Sequence, residues 1–201
     1  MRLLPESDNV KDFLGEFPPV IEFDTPLVKE RIEKIKSATS SPKERARMAF
    51  EMARDKIAHS FDTGSTVITV NAEDVLKKKE GICFAKSHLL ATLLRGMGIP
   101  AGFCYQRVLR AGTVDSGYAL HGLNAIYFDD TGWFRVDPRG NKVGVNSQFS
   151  IENEQLAYTI KPELGEVDYP YIFMHPLTSV LDSMHESIDC HQLFFKRPEL
   201  I

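Results

Sequence analysis

Between residues 83 and 137 the hydrophobic period changes once, from helical to alternating, and that switch constrains the fold more than any other feature of the chain. Leu89, Leu90, Leu93, Leu94 and Met97 recur at helical spacing, so a helix begins near Cys83. Gly96 and Gly98 stop it, and Pro100 enforces the stop. Three extended segments follow, over 101–110, 118–128 and 133–137. Asp129-Asp130-Thr131-Gly132 is a hairpin turn between the last two. The expected fold is α+β, with a helix packed on an antiparallel sheet.

Upstream, the start signals are helical. Thr25 is placed to cap a helix that opens at Pro26 and carries Leu27, Val28, Ile32 and Ile35 through about residue 36. Ser41-Pro42-Lys43-Glu44 predicts a second helix with a capping box, continued by Ala46, Ala49, Phe50, Ala53 and Ile57. Residues 67–70 read as a short extended piece. Asn71 with Asp74 caps a brief helix that Gly81 is expected to end. Beyond Asn141 the pattern weakens, apart from a helix expected near 177–185. Residues 1–41 therefore read as an N-terminal extension with a first helix, 42–149 as the core, and 150–201 as an extension packed on that core.

The bulk numbers exclude several function classes. The chain has 201 residues, 43% of them hydrophobic, enough to bury a core without disulfides or a metal. The net charge is -4, from 24 basic and 28 acidic residues, which argues against nucleic acid as a partner. A mean hydropathy of -0.20 argues against a membrane partner or span. Pro5, Glu6 and Asp8 interrupt any signal-peptide apolar stretch, and the three cysteines, Cys83, Cys104 and Cys190, make no disulfide framework. The cytoplasm is the expected compartment.

A cysteine at a helix start is placed to react. Orphan N–H groups and the helix dipole favour thiolate, the form that attacks. Gly81-Ile82-Cys83 puts a thiol there, although a lone cysteine is more often simply buried. A base must come from elsewhere in the fold, and a third group must orient it. His121 lies on the second strand, and Asp137 ends the third, just before Pro138. Each alone reads as structural. Register decides whether they meet. If Ile126 pairs with Phe134 and Asn124 with Val136, His121 falls diagonally beside Asp137 across about 7 Å of backbone. The same register gathers Ile126, Phe128, Phe134 and Val136 on the opposite face, as a core requires. That register is the expected one.

Gly81-Ile82-Cys83, the segment Arg95-Gly96-Met97-Gly98-Ile99-Pro100-Ala101, His121, and Trp133-Phe134-Arg135-Val136-Asp137-Pro138 together resemble the transglutaminase-like superfamily over about residues 42–141. The likeness is to a small bacterial-type single-domain member. It implies a transglutaminase-like, papain-like cysteine fold, with Cys83 as nucleophile, His121 as base and Asp137 as orienter. It also implies acyl transfer from an amide through a thioester, with the Cys83 N–H as one oxyanion donor. The upstream side-chain donor common in the family has no tryptophan here, and Asn71 and His59 both stand as substitutes. The family's common His-Ala-Trp is His121-Gly122-Leu123, and its Asp-Pro-Thr is Asp137-Pro138-Arg139, so the substrate pocket and protein crosslinking are in question.

Other residues read more plainly. Lys77-Lys78-Lys79 is a solvated helix face more than a thiolate-stabilising patch. Arg139 reads as an ion-pair residue more than a carboxylate grip. His185, Cys190 and His191 lack the matched ligand pairs of a zinc site, so neither metal nor cofactor is expected. Cys104 reads as core. His88 lies about 140° round the helix from Cys83, wrongly placed for its base. His175 is unassigned. The expected function is a thiol enzyme acting on a peptide or an amide-containing small molecule, hydrolysis favoured over amine transfer. The alternative is a non-catalytic protein-binding module on the same fold.

Overall fold

A computed structural model describes residues 1–201. In chain order the elements are β1 (Leu4–Pro5), α1 (Pro26–Ala38), α2 (Pro42–Lys56), β2 (Ala58–His59), α3 (Ser60–Thr63), α4 (Ala72–Lys78), β3 (Glu80–Gly81), α5 (Cys83–Gly96), β4 (Ala101–Leu109), β5 (Tyr118–Phe128), β6 (Gly132–Val136), β7 (Val167–Asp168), β8 (Tyr171–Ile172), α6 (Thr178–Glu186) and α7 (Cys190–Lys196). The main sheet is antiparallel with strand order β6-β5-β4-β7. No helix is long and apolar enough to cross a membrane.

Helix α5 is the centre of the molecule. Every residue from Cys83 to Arg95 is buried, because the sheet covers one side and α1, α2 and α4 cover the other. The sequence predicts only an apolar stripe, since Lys86, Ser87, His88, Thr92 and Arg95 interrupt the hydrophobic pattern. Most of those polar groups find backbone partners, as burial demands. Lys86 Nζ donates to Arg54 O at 3.1 Å and Ile57 O at 2.6 Å. His88 Nδ1 lies 2.7 Å from Val70 O, and Thr92 donates to His88 O. Arg95 donates to Ala101 O, Gly15 O and Met174 O, tying the helix end to β4 and to two distant loops.

Several local expectations need correction. Thr25 makes no cap hydrogen bond, and its buried hydroxyl has no partner. The Glu73 carboxylate, from α4, accepts from Leu27 N and Val28 N and caps α1 across the fold. The capping box at α2 is half formed. Ser41 Oγ accepts from Glu44 N, while the Glu44 side chain turns to Arg47. Helix α4 ends on Lys79 in the left-handed region (φ 57°), before Gly81, which instead pairs with His59. Residues 67–70 form no strand.

Residues 150–201 lie against the same sheet and cleft. β7 extends the sheet beside β4, Leu120 N donates to Pro198 O at 2.7 Å, and Cys190 N donates to Thr66 O at 3.0 Å. Helix α6 forms close to the expected 177–185, whereas α7 has no clear period in the sequence.

Candidate active site

The β5–β6 register is Asn124 opposite Val136 and Ile126 opposite Phe134, the expected one. It carries His121 to Asp137, with His121 Nε2 2.7 Å from Asp137 Oδ2. Both side chains are buried. Asp137 is held in turn by Arg139 N on Oδ1 and Ala157 N on Oδ2, each at 3.0 Å. Burial would push its carboxyl up. The imidazole and the two backbone donors outweigh burial and hold it below the usual carboxylate range.

With Nε2 committed to Asp137, Nδ1 is the nitrogen of His121 left to face the thiol. Cys83 occupies the first turn of α5 and shares the cleft wall with His121. Burial would raise its thiol. The His121 charge and hydrogen bond, then the Arg197 charge and the Gly122 backbone N–H, bring it below the ordinary thiol value. Burial also disfavours imidazolium at His121, but the Asp137 and Cys83 charges on either side hold its pKa well above the ordinary value. The two shifts run in opposite directions, the thiol lowered and the imidazole beside it raised.

Two close approaches set the geometry. At Gly122 an added Cβ would stand 2.7 Å from Phe84 Cδ1, so only glycine lets β5 lie this near the start of α5. One turn further, Asn124 Nδ2 donates to Ser87 O at 3.1 Å and to Gly102 O at 3.3 Å, pinning helix to sheet.

The cleft is a cavity of about 530 Å³ whose wall includes Cys83, His121, His59, Arg139, Tyr158 and Arg197. Pairing of His59 with Gly81 seats that imidazole two residues before the thiol. Its Nδ1 is buried without a partner, and burial, then the Arg139 charge, keeps the ring neutral. Asn71, the other candidate donor, is spent on α4. Its Oδ1 accepts from Asp74 N, and its Nδ2 donates to Asp74 Oδ2. Arg139 is no surface residue: its buried guanidinium makes a two-pronged pair with Asp62 and donates from Nε to the Tyr158 hydroxyl at 2.9 Å.

The remaining sequence candidates lie elsewhere. His88 and Cys104 are core, and His175 stacks on Phe17. Lys77, Lys78 and Lys79 are exposed. Sequence reasoning missed Tyr158, which packs edge-on against His121 with centroids 4.8 Å apart, and Arg197. Both come from residues 150–201, and no spacing or motif there points to the cleft.

The model of the family described as the transglutaminase-like superfamily matches residues 29–138. No curated protein matches the sequence. Among solved structures the chain is similar to a candidate cysteine protease from Cytophaga hutchinsonii, with a TM-score of 0.52 and 17% identity over 66% of this chain and 43% of that one. It is also similar to the periplasmic domain of TgpA from Pseudomonas aeruginosa bound to ethylmercury, with a TM-score of 0.45 and 20% identity over 63% of this chain and 46% of that one. The chain spans less than half the length of these structures, and the first likeness, at its identity, is one of fold.

Proposed function

We propose a thiol-dependent acyl-transfer activity on amide bonds for this chain, which belongs to the transglutaminase-like superfamily. The observation that carries the reading is Asp137 Oδ2 on His121 Nε2, with His121 and Cys83 in one cleft wall and the His121 charge lowering the thiol. The Cys83 thiolate attacks the amide carbon, and the carbonyl oxygen becomes an oxyanion. The Cys83 N–H at the helix start and the neutral His59 imidazole serve as its donors. His121 gives its proton to the leaving nitrogen as the C–N bond breaks, leaving a thioester on Cys83. Water then attacks the thioester and passes a proton through His121. The thiolate departs and a carboxylic acid is released.

Hydrolysis is favoured over transfer to an amine because water, unlike an amine, needs no binding site of its own to reach a thioester on the wall of this cleft. The substrate is a peptide or an amide-containing small molecule. Three free thiols suit the cytoplasm, the proposed compartment.

The experiment is the pH dependence of Cys83 alkylation by iodoacetamide in wild type and in His121→Ala. The expected result is an apparent pKa well below the free value of about 8.5, rising when His121 is removed. An ordinary pKa that ignores His121 would favour the protein-binding alternative. With substrate in hand, an added primary amine distinguishes the two outcomes, since exclusive amide conjugation would refute hydrolysis.

A further inference from the structure

The charge around Cys83 runs against the charge of the whole chain. The protein carries a net -4. Yet the cleft wall holds five cationic side chains, Arg110, Arg139, Lys142, Lys161 and Arg197, against two carboxylates, Asp62 and Glu166. Both carboxylates are already engaged. Asp62 is clamped by Arg139 and by Lys142. Glu166 accepts from Leu109 N through one oxygen and from Lys161 N through the other, each at 2.9 Å. A concave wall of one sign focuses its field on whatever enters.

Within that wall, Arg197 stands out. It is 8% exposed, and no carboxylate of the protein pairs with it. Its side chain makes one hydrogen bond, from Nε to Phe194 O at 3.3 Å, and the guanidinium lies against the rings of Phe61 and Phe194 at 5.0 and 4.9 Å. Its outer N–H groups make no hydrogen bond within the protein, and the residue lines the cavity. Burying a cation without an anion is costly, so such a fork is retained where an anion arrives from outside. Arg110 is its neighbour in the wall. It donates to Tyr118 O at 2.7 Å, meets the half-exposed Glu199 only at 3.6 Å, and has a buried Nε with no partner. Two guanidiniums in one cleft wall, each incompletely satisfied, make a receptor for a carboxylate.

We propose that the cleft takes amide substrates that carry a carboxylate close to the scissile bond, and that Arg197, supported by Arg110, binds that carboxylate and so places the acyl carbon over Cys83. The inference rests on the acyl-transfer reading above. The carboxylate is a chain terminus or an acidic side chain, the chemistry of binding being the same. A role confined to stabilising the Cys83 thiolate is the competing account of Arg197, and it is separable by experiment.

The test alkylates Cys83 in the intact protein with two reagents of equal size, anionic iodoacetate and neutral iodoacetamide. Rates are compared on the high-pH plateau, where the thiol is fully ionised in every variant, so that a change in thiol pKa drops out. The expected result is that Arg197→Met lowers the iodoacetate-to-iodoacetamide rate ratio about tenfold, while the iodoacetamide plateau rate stays within twofold of wild type. Arg110→Met, at a more exposed residue, lowers the ratio about threefold, and it carries the test if Arg197→Met does not fold. Ratios within twofold of wild type in every folded variant would overturn the inference. A raised Cys83 alkylation pKa together with an unchanged ratio would overturn it also, in favour of a purely thiolate-stabilising role. Protection of Cys83 by an N-acetylated dipeptide acid, against protection by an N-acetylated glutamate α-amide, then assigns the carboxylate to a terminus or a side chain. If iodoacetamide itself reveals no activated thiol, the acyl-transfer reading fails. If it reveals one and the ratio ignores Arg197, only the substrate inference fails.

Discussion

His121 Nε2 lies 2.7 Å from Asp137 Oδ2, between two strands whose register places residue 124 opposite 136. The contact depends on that register, because a slip of one residue turns every side chain of a strand to the other face. Asp137 accepts two backbone N–H groups as well, so the carboxylate is fixed before it meets the imidazole. In the proposed mechanism the chemistry of Cys83 depends on this pair, since the His121 charge is what lowers the thiol.

Asp137→Asn is therefore expected to raise the alkylation pKa of Cys83. The substitution removes the charge that holds His121 protonated, and a less protonated ring favours thiolate less. Each unit of rise lowers the iodoacetamide rate at pH 7 about tenfold. An unchanged pKa in Asp137→Asn would mean that the carboxylate does not act through His121.

The same pair makes stability depend on pH in two opposite ways. Asp137 has a depressed folded pKa, so its contribution is present above the unfolded carboxylate value of about 3.9 and is lost as pH falls through the folded value. His121 has a raised folded pKa, so its contribution is full below the unfolded imidazole value of about 6.5 and is lost as pH rises through the folded value. The stability difference between wild type and His121→Ala should peak between these pH values. Urea denaturation across pH 3 to 9 tests this, and a flat difference would contradict it.

The three buried thiols should separate sharply in reactivity. Burial pushes Cys104 up to about 12 and Cys190 up to about 11, while Cys83 alone is lowered. Limiting iodoacetamide at pH 7 is expected to modify the Cys83 peptide only, as read by peptide mass mapping. Comparable labelling of Cys104 or Cys190 would count against an activated Cys83.

Gly122→Ala should destabilise the fold by about 1–3 kcal/mol, because the new methyl meets Phe84 at the start of α5 and neither backbone nor ring has room to withdraw. The same shift moves the Gly122 N–H away from Cys83, so alkylation slows too. Thermal denaturation together with alkylation rate measures both effects. Loss of neither would show that β5 and α5 yield more easily than their packing implies.

Capping of α1 gives a contrast between sequence and structure. Glu73→Ala removes the acceptor for Leu27 N and Val28 N and should cost about 1 kcal/mol. Thr25→Ala removes a hydroxyl with no partner and should change stability by less than about 0.5 kcal/mol. Guanidinium denaturation of the two variants decides between a cap at Thr25 and a cap at Glu73, and the reverse order would restore the local reading.

The features legible in the sequence are those set by local periodicity and turn chemistry. Strand 118–128 matches β5 end to end, and the 133–137 segment differs from β6 by one residue at each end. The start of α5 at Cys83 follows from Gly81 and the leucine pattern beyond it. Two-residue alternation in the hairpin excludes a slip of one residue, and the expected register gathers Ile126, Phe134 and Val136 into a single core. Given that register, the approach of His121 to Asp137 follows from strand alternation.

Tertiary structure decided whatever depends on groups far apart in the chain. Complete burial of α5 comes from α1, α2 and α4 closing over a helix whose own polar residues conceal it. That His59 and not Asn71 lines the cleft comes from a two-residue pairing with Gly81 across 21 intervening residues. Tyr158 and Arg197 reach the cleft because residues 150–201 return along the sheet, anchored at Leu120 and Cys190. Local sequence encodes the backbone conformations of adjacent residues. The wall of a cleft is set by which distant surfaces bury each other, a property of the whole packed core that no single segment carries.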